Sequence, residues 1–491
     1  MTELVLGLDQ GTSSTRCLAL DHELIERGAA TVKVSTSFPG PGLVEQDPRE
    51  LEASASSAIA GALTAAGAAP ADVVALGIAN QTETFIVSER TSGRPIYPAI
   101  VWQDRRTADR CAALAAAGHA PLVRARTGLE LDATFPATKV GWLLDHVSGA
   151  RTAADAGELV YTDVAGWLLG HLTGVQACEA GNAGRTLLCQ LGGDDWDDEL
   201  LALFGVPRAM LPPIVDSDAI GSLAWPPLGP TDLPVTGVLG DQQASLFGLG
   251  CREPGAAKVT LGTGAFILAQ GGASAPLTPP GVLASCAWRW RGQTSYALEG
   301  FVPVAGAALD WFAGLGVLPP GPELDGLLRA AGAEDGSVVC VPALQGLGTP
   351  GWDPAVRAAL VGLSRSTTRA QVARAVVDGV LHQVADALAA INVAMPISNV
   401  LLDGGMSRSH WIVQRLADIA NVRVQRAARS EATAIGAAMM AGLATGFWRS
   451  AAELPEVAVD LVAEPSLHPS QRAARRDEWA AAVALAAQWR C

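Results

Sequence analysis

The chain has 491 residues, a formal net charge of −15, 49% hydrophobic residues and 17% charged ones. That length exceeds a single core and implies two or three domains, while the apolar content excludes a disordered chain. The acidity excludes nucleic acid or an anionic membrane as the main partner, so an anionic ligand has to be met by a local device.

Eight cysteines show no CxxC and seven histidines show no HExxH, which predicts reduced thiols and no structural zinc. The first 20 residues lack the basic start and cleavage site of a leader, and no run offers the roughly 20 uninterrupted apolar residues of a membrane span. A cytoplasmic chain is expected.

In chain order, apolar runs predict strands at Leu4–Leu8, Arg16–Leu20, Thr31–Val34, Val73–Ile78, Phe85–Val87 and Val235–Leu239, with a helix at Glu50–Ala66. This alternation reads as α/β. From Ala256 the layout returns: "AKVTLGTGAFILAQGG" is strand, Gly/Thr turn, strand, and "VLLDGGMSRS" is a strand running into a turn and a helix from about His410 to Asn421. Domains at 1–250 and 251–491 are expected, with the boundary near Gly248–Glu253 and a rigid loop at Trp225–Pro234. Two abutting α/β domains leave a cleft, where ligands usually sit.

"DQGTSST" places Asp9 at a strand end and the hydroxyls of Thr12, Ser13 and Ser14 around one point, a suitable cradle for phosphate and a metal ion. Alone it reads equally well as a hairpin with a satisfied Asp. Gly262-Thr263-Gly264 repeats the chemistry in the other half, and two such turns could close on one polyphosphate. Asp241, ending a strand in "VLGDQQASLFG", could take a proton from an attacking hydroxyl or simply N-cap the next helix. Glu83 and Trp102 suit a sugar's hydroxyls and carbon face, or else mark an exposed turn and a core Trp. Gly404-Gly405 could seat a flat base or start a helix. Arg105-Arg106 reads as a solvated helix start, and Ala358–Gly379 as structure, with Val372, Val376 and Val380 on one helix face.

Taken together, "GLDQGTSSTR", "EQDP", "GIANQTET", "VWQDRRT", "GVLGDQQASLFG", "TLGTGAFIL", "YALEGFVPVAGAALDW", "GLGTPGWDP" and "LDGGMSRS" occur in an order that resembles the FGGY carbohydrate kinases, nearest to their glycerol-kinase branch. The resemblance implies an actin-like, hexokinase-like two-domain fold (ribonuclease H-like) with ATP, Mg2+ and a small polyhydroxy substrate in the cleft, often in a homodimer or homotetramer. Carried over by position, it implies Asp9 at the metal, Thr12, Ser13 and Arg16 in the first phosphate turn, and Gly262 and Thr263 in the second. It also implies Gly306, Gly404 and Gly405 at adenosine, Asp241 as general base, and Glu83, Trp102, Asp241, Gln242 and Phe266 at the acceptor.

Two acceptor positions depart from the glycerol-kinase pattern: an arginine is here Thr82 and a tyrosine is here Thr134. Short side chains there predict room for a four- or five-carbon polyol or sugar. The alternatives are glycerol itself, a ketose as in xylulokinases or ribulokinases, or a regulator that binds sugar without turnover. Two further departures, Asp310 for Gln and Ser409 for Asn, fall on the nucleotide side.

Overall fold

The computed structural model describes residues 3–218, 222–224, 232–319, 323–332 and 338–489. Two large sheets organise them. Across the first, the strands run Ser222–Ala224, Asp232–Gly240, Val73–Asn80, Leu4–Gln10, Ser14–Leu20, Glu26–Lys33. The first three strands in the chain form an antiparallel meander, and Leu4–Gln10, Val73–Asn80 and Asp232–Gly240 pair in parallel. Leu4, Leu6 and Leu8 and their neighbour Val5 are all buried, because elements cover both faces of this sheet.

The second sheet repeats the plan. Its strands run Leu283–Trp290, Gln293–Val302, Ala265–Gly272, Ala257–Leu261, Asn399–Asp403, Arg423–Ala427, Val459–Ala463. An antiparallel hairpin again leads into parallel strands, through Ala257–Leu261, Asn399–Asp403 and Arg423–Ala427. This is the two-domain α/β architecture expected from the sequence. A smaller sheet of Glu45–Gln46, Ala99–Ile100, Phe85–Glu89 and Leu159–Asp163 supports the loops that carry Glu83 and Trp102.

Local signals set the helix ends. Helix Pro48–Ala66 starts at the Asp47 N-cap, whose side chain accepts from the Arg49 amide, and stops at Gly67 with φ 62°. Helix Arg369–Ala394 opens on a Thr368–Gln371 capping box. By length and composition it could cross a membrane, but most of it is buried against the second sheet, with Val376 and Val380 fully enclosed and Val372 half-buried. Length alone therefore misleads here, and this helix serves as core.

Helix Ala432–Thr445 follows the last parallel strand of the second sheet yet packs on the first. Glycines make this possible. A Cβ on Gly7 would lie 2.0 Å from the Ala434 carbonyl oxygen, one on Gly77 2.0 Å from that of Ala437, and one on Gly237 2.5 Å from the Ala441 nitrogen. Against the helix Asp241–Gly248, a Cβ on Gly436 would lie 1.9 Å from the Ala244 carbonyl oxygen. Backbone meets backbone, so no side chain fits between.

Two sequence expectations change. Arg106 is not solvated: its side chain is 2% exposed, donates to Asp104 and Glu45, and lies over the Trp142 ring at 4.5 Å. Distant Glu45, Tyr97 and Trp142 supply the partners that desolvate it. Of the Trp225–Pro234 loop, residues 225–231 lie outside the described residues and Asp232–Pro234 begins a strand, because antiparallel pairing with Ser222–Ala224 extends that run N-terminally.

Gly77→Ala is expected to destabilise the protein by about 3 kcal/mol or more, since overpacking a rigid backbone contact leaves nothing to yield. Gly314→Ala, at a helical position with open space around its Cβ, is the control and should stay within about 0.5 kcal/mol. Thermal and urea melts of both variants check this.

Candidate active site

The first turn joins the strands Leu4–Gln10 and Ser14–Leu20, with the Gly11 amide donating to the Ser14 carbonyl at 3.0 Å. Asp9 sits opposite Arg16 across this hairpin. Burial foremost, then the Asp241 carboxylate, pushes Asp9 up to about 7 against the pull of Arg16. Thr12 is held by Trp102, whose indole N–H donates to its hydroxyl at 3.0 Å, and by Gln46, whose amide donates to its carbonyl at 2.6 Å. Ser13 is exposed at the tip. Arg16 pairs with Glu431 at 3.4 Å, and its buried Nε has no hydrogen-bond partner.

The second turn, Gly262 to Gly264, is packed against two other glycines. The amides of Ala305 and Gly306 donate to the Thr263 and Gly262 carbonyls at 2.8 Å each. A Cβ on Gly306 would come within 2.6 Å of the Gly262 oxygen, and one on Gly404, at φ 92°, within 2.4 Å of the Leu261 oxygen. Gly262, Gly306 and Gly404 thus lie where backbone packs on backbone, with Gly405 exposed beside them and open space around its Cβ. Ser409 N-caps the helix His410–Ala420, accepting from the Ile412 amide at 3.1 Å and donating to Asp325, while Asp310 is exposed on helix Gly306–Gly314.

A cavity of about 160 Å³ opens where the two halves face each other. All seven expected acceptor residues line it: Thr82, Glu83, Trp102, Thr134, Asp241, Gln242 and Phe266; Thr12 of the first turn reaches it too. The bland alternatives do not hold for two of them. Glu83 is buried, with φ 62°, a left-handed conformation costing about 1–3 kcal/mol that concentrates at functional sites, and Trp102 is half-buried on the cavity wall.

Asp241 is not an N-cap either. The helix Asp241–Gly248 begins at Asp241 with Gly240 in the cap position, and the Asp241 carboxylate accepts from the Gln242 amide at 2.8 Å. Burial foremost, then Glu83, raises it to about 6 in spite of Lys258 and Gln242. Lys258, wholly buried on the strand Ala257–Leu261, donates to the Gln242 side chain at 2.7 Å and to the Thr260 hydroxyl at 2.9 Å. Burial lowers its pKa against the attraction of Asp403 and Asp241. A cation of the second half thereby steers a carboxylate of the first.

The sequence reading missed Arg185, Glu299, Asp132 and Lys258. Arg185 and Glu299 pair across the cavity at 2.5 Å although 114 residues apart. "GRTLL" and "YALEG" carry no local signal of that pairing. Asp132 is anchored by a bidentate contact with Arg105 at 2.6 and 3.1 Å.

The family model for the N-terminal domain of the "FGGY family of carbohydrate kinases" matches residues 4–248, and that for its C-terminal domain matches residues 257–445. The chain belongs to the FGGY family. It is thus an ATP-dependent carbohydrate kinase. It is 42% identical to a glycerol kinase of Dechloromonas aromatica over 99% of this chain and 98% of that relative. It is 44% identical to one of Rhodospirillum centenum over 98% and 97%. Among solved structures it is similar to Plasmodium falciparum glycerol kinase with ADP (TM-score 0.92, 26% identity, 99% of this chain and 98% of that one). A xylulose kinase of Brucella ovis follows (TM-score 0.87, 27% identity, 98% of both). These relatives favour glycerol over the four- or five-carbon acceptor that the sequence put first.

Lys258→Met removes the cation that favours the ionised form of Asp241, so a rate that requires this carboxylate ionised is expected to have its acid limb moved to higher pH. The loss of kcat at pH 6 should then exceed the loss at pH 8.5, with Lys258→Arg intermediate. An equal loss at every pH would contradict this role.

Proposed function

We propose that this kinase transfers the terminal phosphoryl group of ATP to a primary hydroxyl of a small neutral polyol, with glycerol as the first acceptor. The observation that carries the reading is that Asp241 and the Thr12 hydroxyl line one cavity together with every residue expected to hold the acceptor. Full-length similarity to glycerol kinases supports glycerol itself. A second reading, a four- or five-carbon polyol, is supported by the short side chains of Thr82 and Thr134 on the wall of that cavity.

Asp241 is assigned as general base. At about 6, it is ionised at neutral pH and close enough to that pH to accept a proton as the hydroxyl oxygen attacks. Phosphoryl transfer passes through a loose transition state, so positioning and charge neutralisation do most of the rest. Thr12, Ser13 and Arg16 are assigned to the phosphates from one side, Gly262 and Thr263 from the other, and Gly306, Gly404 and Gly405 to adenosine. The partnerless Nε of Arg16 fits a phosphate oxygen, and the open space around the exposed Gly405 leaves room for a flat base.

Asp9 is assigned to Mg2+. A carboxylate held near 7 by burial first and a second carboxylate next is the kind of hard oxygen donor that a divalent cation relieves. The ion would supply charge neutralisation at the phosphates. We further assign a domain division at 250/251, a cytoplasmic setting and a homodimer or homotetramer. Seven free, buried cysteines support a reducing compartment.

The test is ADP release with ATP and Mg2+ across glycerol, tetritols, pentitols, dihydroxyacetone and the ketopentoses. Glycerol is expected to give the highest kcat/KM, and a pentitol or tetritol ahead of it would install the second reading. Asp241→Asn should cost about 10²- to 10⁴-fold in kcat. Because the base must be ionised, kcat/KM should fall about tenfold per pH unit below about 6. Silence on every acceptor would point to a binding protein.

A further inference from the structure

We propose that Arg185 is the specificity-determining donor of the acceptor cavity, meeting the polyol hydroxyl remote from the one phosphorylated. The inference rests on the acceptor reading above and deepens it.

Arg185 follows the short helix Ala180–Gly184 and reaches the cavity from the first half. Its Nε donates to Glu83 at 2.6 Å and its Nη1 to Glu299 at 2.5 Å. Glu83 belongs to the loop after strand Val73–Asn80, and Glu299 to the strand Gln293–Val302 of the second sheet. The guanidinium carbon lies 5.3 Å from the centre of the Phe135 ring. Two carboxylates and one aromatic face fix its orientation, which removes most of the entropy that a free arginine would lose on gripping a ligand.

A guanidinium carries five N–H donors, and these two contacts use two of them. The side chain retains 12% exposure, and Arg185 lines the cavity. Among the described residues lining that cavity it is the only cation, and Thr82 and Thr134 offer nothing longer than a hydroxyl. A fork-shaped donor for a polyol therefore comes from Arg185.

The surrounding charge narrows the ligand class. Four carboxylates, those of Glu83, Asp132, Asp241 and Glu299, line the same cavity. Arg185 is claimed by two of them and Asp132 by Arg105. The site remains net negative, and a carboxylate-bearing acceptor entering it meets like charge at low dielectric. Neutral polyols fit, and sugar acids of the same length are rejected.

The experiment compares wild type, Arg185→Met and Arg185→Lys with ATP and the polyol that wild type uses best. Both variants are expected to raise the acceptor KM by about 10- to 100-fold, the factor for a lost hydrogen bond to a charged group, with the ATP KM unchanged. Arg185→Lys keeps a cation between Glu83 and Glu299 and so should keep the wild-type melting temperature, yet it lacks the fork and should not recover the acceptor KM. Wild-type acceptor KM in the lysine variant would overturn the proposal. So would a loss confined to kcat, or a parallel rise in the KM for ATP, since either marks a structural prop. In wild type, glycerate should compete with glycerol at least tenfold more weakly than a neutral triol does; equal competition would overturn the neutral-ligand part. Inactivity of wild type on every polyol would instead refute the acceptor reading itself, and with it this inference.

Discussion

Everything in the cleft depends on one contact, the backbone-to-backbone seating of helix Ala432–Thr445 on the first sheet. Gly7, Gly77 and Gly237 come from three adjacent strands and leave no space for even a methyl group beneath the helix. Close-packed backbone cannot slide by small steps, so the two sheets keep a fixed relation at this seam. The polar turn Gly11–Ser14 lies at the end of the strand that contains Gly7, and Asp241 at the end of the one that contains Gly237. The seam thereby sets the spacing between the polar turn and Asp241.

Electrostatics then divides the labour within the cleft. Asp9 and Asp241 are both buried and both shifted upward, but for different reasons after burial: Asp9 feels Asp241, and Asp241 feels Glu83. Lys258 and Arg16 pull in the other direction, one from each half. The two carboxylates are thereby poised near neutrality, a costly arrangement for a purely structural core. Carboxylates shifted in this way concentrate at functional sites.

Much of this was legible in the chain because it is local. Strand, polar turn, strand can be read directly at Asp9–Ser14 and at Gly262–Gly264, and Asp241 stands visibly where an apolar run ends. Three things were not legible. Arg106 looked solvated because Glu45, Tyr97 and Trp142, which bury it, lie elsewhere in the sequence. Arg185 was passed over because Glu83 and Glu299 are 102 and 114 residues away from it. Helix Ala432–Thr445 is apolar on nearly all sides, so its pattern names no face and cannot say on which sheet it will rest.

That helix also bears on how the chain is made. One face of the first sheet, including Val5, Ala75, Ala79 and Leu239, shares a core with residues beyond 430. During synthesis those strands emerge first and must wait, with that face open to water and to other chains, until almost the entire polypeptide has left the ribosome. The N-terminal half is consequently an incomplete folding unit despite its own sheet. A fragment ending before Ala432 would carry an uncovered glycine-grooved apolar surface, the sort that chaperones hold and that aggregation exploits.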